Sequence, residues 1–135
     1  MDSIGLRVAL CLTFTIAGTA LVWTARAAAS GRLGRNPYVG VRTPTTMASD
    51  TTWIAAHRAS RPFTEIGGWL AIVAGLGALI PMSETMLTAL GIAGAACLVG
   101  FALVGAWIGV RAARSTPPEP ENHGPATTQQ STDAP

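Results

Sequence analysis

The chain has 135 residues, of which 49% are hydrophobic and only 12% charged, a balance too apolar for an ordinary soluble domain. Its net charge of +2 is too small to point to nucleic acid, and its nine basic residues are all arginines, so their distribution along the chain carries more information than their number. Cys11 and Cys97 lie inside apolar runs without metal-ligand spacing or a CxxC partner and read as small buried hydrophobes.

A first membrane span is predicted over about residues 6–26. The stretch Val8 to Trp23 is apolar apart from threonines, and its neighbours bring it to the roughly 20 residues that a crossing helix needs. Arg7 stands at the outer edge, where a long side chain can snorkel to the headgroups. A secretory signal peptide is the rival reading, since Ala25-Arg26-Ala27 supplies a small-x-small site. An uncleaved anchor agrees better with the charge distribution below.

Residues 27–65 form a polar loop. Asn36-Pro37 favours a turn, Gly40 allows close backbone approach, and Thr43 before Pro44 is expected to be extended. Ser49 or Asp50 then caps a short helix to about Ser60. On it Trp53, His57 and Ser60 share one face, and Ile54, Arg58 and Arg61 another. This pattern predicts an amphipathic interfacial helix, with Trp53 at headgroup depth and Arg58 and Arg61 near lipid phosphates. A plain amphipathic connector into the next span is the alternative.

A second, short and Gly-rich span is predicted over about 66–80, with Phe63 and Trp69 near its start suited to an aromatic belt. Pro81-Met82-Ser83-Glu84-Thr85 makes a tight turn in which Ser83 is the N-cap and Glu84 meets the helix dipole. A third span follows over about 86–110, ended by Arg111 and Arg114. The small-residue spacings Ala71-xxx-Gly75 and Gly105-xxx-Gly109 serve either packing between spans or a homo-oligomer. Residues 115–135 are rich in Pro, Glu, Thr and Gln without hydrophobic periodicity and are expected to be a disordered tail.

The fold class is therefore an all-α membrane protein of three transmembrane helices with one large loop. Six arginines fall in the loop and at its borders, two follow the third span, and Arg7 alone lies on the other side. The positive-inside rule then puts the loop and C-terminus in the cytoplasm and the N-terminus outside the cell membrane.

Asn36, Gly40-Val41-Arg42, Thr43, and Trp53 with His57-Arg58, ahead of a pair of apolar helices, resemble the signature of the SdpI family of bacterial integral membrane proteins. The resemblance covers roughly Arg26 to Val110. It implies immunity or membrane signalling, with a peptide toxin, a cytoplasmic regulator or another membrane protein as partner besides the lipid bilayer. It also makes Asn36, Gly40, Arg42, Thr43, Trp53, His57 and Arg58 the partner- or lipid-binding candidates. Longer members carry additional spans before the signature, and this chain has one. Arg42 offers a planar fork of donors for a lipid headgroup, a partner acid or backbone carbonyls. A small accessory subunit of a larger membrane complex is the alternative function. No nucleophile with a base, phosphate cradle or metal constellation is legible, so no enzyme, metal or cofactor is expected.

Overall fold

The computed structural model describes residues 3–117, which form three α-helices and no strand. These are α1 (Ser3–Ala29), α2 (Asp50–Gly77) and α3 (Glu84–Arg114). The greater part of the predicted tail, from residue 118 onward, lies outside the described residues.

Helix α2 is the centre of the bundle. Both α1 and α3 pack along it, antiparallel to it, and barely touch each other. The contacts are made by small residues, because helices in lipid gain little from apolar burial and must pack backbone to backbone. A Cβ on Gly68 would meet the Gly18 carbonyl at 2.8 Å, and one on Gly75 the Cys11 carbonyl at 3.1 Å, so these positions hold α1 against α2. On the other side, a Cβ on Gly109 would meet the Ala56 carbonyl at 2.8 Å and one on Gly105 the Thr64 hydroxyl at 2.7 Å. Ala71-xxx-Gly75 and Gly105-xxx-Gly109 therefore serve internal packing. That leaves the homo-oligomer without its sequence motif.

The caps follow the expected chemistry. The Ser49 hydroxyl accepts from the Thr52 amide at 3.1 Å while the Thr52 hydroxyl accepts from the Ser49 amide at 3.0 Å, a reciprocal capping box that starts α2. Ser83 caps α3 through the Met86 amide at 3.3 Å, and Glu84 occupies the first turn. At this end Arg7 of α1 donates to the carbonyls of Ile80 and Met82, each at 2.5 Å, and so closes the α2–α3 turn.

One expectation is corrected. The predicted interfacial helix and the second span are a single helix of 28 residues, running through Pro62. Proline removes one amide donor, but α1 and α3 clamp α2 on both sides and hold it continuous. At 1.5 Å per residue α2 is about 42 Å long, and its first turns are the stretch expected to form the separate helix. They continue along the bundle axis and pack under the loop. Trp53 is accordingly 1% exposed and packed under the loop, where headgroup depth was expected.

Helices α1 (from Ile4) and α3 are long and apolar enough to cross a membrane, yet only 22% and 11% of their most apolar windows is buried within the fold. Such surfaces need an apolar surrounding. Helix α2 does not pass the same test, since its first turns are polar and the rest is short.

Candidate functional site

The loop between α1 and α2 is a folded cap. It begins where Gly31, at φ 77°, reverses the chain at the end of α1 and the amides of Ser30, Gly31 and Leu33 bond the carbonyls of Arg26, Ala28 and Ala27. Asn36 then builds the expected turn: its Oδ1 accepts from the amides of Tyr38 at 3.0 Å and Val39 at 2.9 Å, and its Nδ2 donates to the Gly34 carbonyl at 2.9 Å.

Two side chains on α2 tie the cap down. Trp53 Nε1 donates to the Leu33 carbonyl at 2.9 Å. His57 Nε2 accepts from the Val41 amide at 3.0 Å, which leaves the ring proton on Nδ1, and Nδ1 donates to the Trp53 carbonyl at 2.8 Å. The two rings pack with centroids 4.1 Å apart. His57 is thus a neutral imidazole in one tautomer, and burial pushes its pKa below the ordinary value. Gly40, at φ 100°, fits against this pair because it has no side chain.

The rest of the cap is held by threonines. Thr43 exchanges bonds with Thr46: the Thr43 amide donates to Thr46 Oγ1 at 2.9 Å, and the Thr46 amide to Thr43 Oγ1 at 3.2 Å. Thr46 Oγ1 in turn donates to the Val41 carbonyl at 2.6 Å, and the residue is fully buried. Sequence reasoning missed Thr46, although its three-residue spacing from Thr43 is the signal. It also missed Arg35, which bonds Asp50 at 2.7 Å and the Met47 carbonyl at 3.0 Å.

The candidate arginines have different surroundings. Arg58 donates from Nε to the carbonyl of Ala29 at 3.2 Å, capping the C-terminal end of α1. Arg61 joins Arg26 in bonding Glu65, at 2.6 and 3.1 Å. The hydrogen bonds from Arg26, with those from Arg61, hold the Glu65 carboxyl below its usual range. Arg42 is exposed, donates to the Pro37 carbonyl within the loop, and has no carboxylate partner among the described residues. Of the predicted residues, then, Asn36, Gly40, Thr43, Trp53 and His57 converge in the cap, Arg42 lies at its exposed rim, and Arg58 stands apart at the α1 end.

Beside the cap, a cleft of about 530 Å³ opens where α1 and α3 diverge. Ala17, Ala20 and Leu21 of α1 and Ala102 and Ala106 of α3 form its walls, His57, Ser60 and Thr64 its floor, and Tyr38 to Arg42 its lid. The floor hydroxyls are satisfied locally: Ser60 donates to the His57 carbonyl and Thr64 to the Ser60 carbonyl. The cleft is therefore mainly apolar, with a cationic rim at Arg42. Its volume is in the range that takes a small ligand or an apolar side-chain cluster. Tyr38 at the rim is 84% exposed.

The profile of the SdpI/YfhL protein family matches residues 32–111, more than half of the chain. The chain belongs to this family. The matched region holds most of the cap, all of α2 and nearly all of α3, and every predicted site residue falls within it. Helix α1 precedes it. Membership, together with the two apolar helices, makes this a membrane protein of the SdpI type. Neither a curated protein nor a solved structure matches the chain.

Proposed function

We propose that the chain is a non-catalytic immunity or signalling protein of the cell membrane, whose cap is the surface that a partner contacts. The observation that carries this reading is the position of Arg42 and Tyr38: both are exposed, on a folded lid, at the mouth of an apolar cleft between membrane-type helices. An amphipathic peptide, or an apolar segment of another membrane protein, has chemistry that fits such a cleft. Its occupancy would bear directly on the lid through Tyr38, Val39 and Val41. A cytoplasmic regulator would then meet the outer side of the lid.

In this reading α2 crosses the bilayer between α1 and α3, giving three spans. Arg111 and Arg114 end α3 at the side where α2 begins, so eight of the nine arginines gather at the cap end, and the positive-inside rule directs that end to the cytoplasm. The non-catalytic part of the proposal is supported by His57, whose two ring nitrogens are both committed to backbone groups and are not free to act as a base.

The test is affinity capture of the tagged protein from its native membrane in mild detergent, comparing wild type with Arg42→Ala and Tyr38→Ala after equal insertion has been confirmed. These two variants alter the surface of the lid and leave the Trp53–His57 anchor intact. A partner retained by wild type and lost by both supports the proposal. Capture of integral membrane partners that both variants retain would replace it with the accessory-subunit reading.

A further inference from the structure

A second groove lies on the face of α1 turned away from the cleft. Thr19, Val22, Trp23 and Arg26 of α1 line it, with Trp69 and Ile72 of α2 and Arg32 of the cap, and it encloses about 500 Å³. Its residues are graded in polarity toward the cap. Thr19 and Ile72 stand at the end away from the cap, Val22 and the two tryptophans follow, Trp23 and Trp69 at 58% and 49% exposure, and the arginines stand at the cap end. The same grading runs through half a bilayer, from hydrocarbon through the aromatic interface to the phosphates.

The charge at the upper end is unbalanced. Glu65 accepts from both Arg26 and Arg61, so one carboxylate serves two guanidiniums. Arg32 adds a third. Its Nε donates to the Ser30 hydroxyl at 3.4 Å, and it meets no carboxylate among the described residues. A guanidinium with free donors beside a groove of this depth suits a phosphate carried on an acyl chain. Packing the same face of a second copy there would bring Arg26 and Arg32 against their own counterparts, and like charges oppose that.

We propose that this groove holds an anionic phospholipid of the cap-side leaflet, its phosphate on Arg32 beside Arg26 and one acyl chain between Trp23 and Trp69. The proposal rests on the membrane reading of α1 and α2. It is independent of what the cleft binds. Through Arg32 the lipid would fasten the start of the cap to the membrane, on the far side of α1 from Arg42.

The experiment uses the full chain in phosphatidylcholine vesicles, to which phosphatidylglycerol or further phosphatidylcholine with brominated acyl chains is added, with tryptophan fluorescence as the readout. Vesicle flotation first establishes insertion. Brominated phosphatidylglycerol is expected to quench several-fold more strongly than brominated phosphatidylcholine at equal mole fraction. Arg32→Gln should abolish the difference while still floating with the vesicles, and Trp23→Phe with Trp69→Phe should remove the selectively quenched signal. Inorganic phosphate added to the vesicles should leave the preference in place.

Equal quenching by the two lipids in a protein that floats would overturn the proposal and leave the membrane reading standing, as would a preference that survives Arg32→Gln. A preference abolished by inorganic phosphate would assign the site to the free anion, and cross-linking of Trp23→Cys to a second copy would assign the groove to self-association; each overturns the lipid. A protein that does not float would overturn the membrane reading and this proposal together.

Discussion

Gly40 lies so close under the imidazole of His57 that a Cβ on it would stand 2.6 Å from Nε2, the atom that accepts the Val41 amide. The glycine is also at φ 100°, where a side chain strains the backbone. Gly40→Ala is therefore expected to separate the lid from its anchor at a cost of about 1–3 kcal/mol. Gly34→Ala is the control, because a Cβ there meets nothing within 4 Å. Thermal unfolding in detergent should show a lower midpoint for the first and little change for the second.

The His57 bond makes the cap sensitive to acid. Burial lowers the folded pKa, so the freed lid binds a proton more readily than the docked one. The contribution of His57 is then complete above the ordinary value of about 6.5 and is lost as pH falls from there through the lowered folded value. Protonation puts a second N–H on Nε2, facing the Val41 amide, and the Arg42 guanidinium on the same cleft also opposes a positive ring. Exchange of the Val41 amide should accelerate as pH falls from about 7.5 to 5.5, beyond the intrinsic change with pH, and by no more than about tenfold, the ceiling that an ordinary value of about 6.5 sets at pH 5.5. His57→Gln, which can still accept through its carbonyl oxygen, should remove that pH dependence.

Much of this was legible from the sequence because it depends on local chemistry. Asn36 before Pro37, Ser49 three residues before Thr52, and Ser83 before Glu84 each name their own bonding partners within a turn. Trp53 was misplaced because amphipathic spacing does not say what covers the apolar face. A lipid interface and a folded loop offer the same stripe an equally apolar surface, and only the return of Leu33 and Val41 onto α2 decides between them. Arg42 was read as a binder of headgroup, acid or carbonyl, and its carbonyl, Pro37, lies in the loop itself. Arg58, expected near lipid phosphates, also bonds the Ala29 carbonyl at the end of α1, a long-range contact that no spacing encodes.

Arg7 is expected to be structural at the end opposite the cap. Its guanidinium spans the Ile80 and Met82 carbonyls, both in the turn between α2 and α3, and a planar fork is what reaches two acceptors at once. Arg7→Lys should retain part of this and Arg7→Gln less. A loss of about 1–2 kcal/mol is expected for the glutamine. It should appear as faster amide exchange at Met86 and Leu87, whose amides bond Ser83 at the start of α3, with exchange in the cap unchanged.

The glycines of α3 separate internal packing from self-association. Gly109 faces the Ala56 carbonyl at 2.8 Å from a would-be Cβ, and backbone cannot move aside as a flexible side chain can. Gly109→Leu should therefore force α3 away from α2, at a cost of at least about 1–3 kcal/mol. Gly100, with nothing within 4 Å of a Cβ, looks outward from the same helix. Gly100→Leu should leave the unfolding midpoint nearly unchanged, since it adds an apolar side chain to a lipid-facing surface. Were Gly105-xxx-Gly109 a contact between copies, Gly109→Leu would shift the mass of the detergent complex and spare the unfolding midpoint of the single chain. The bundle geometry gives the opposite expectation: unchanged mass by light scattering and a lowered midpoint, because the partner of Gly109 is α2 of the same chain.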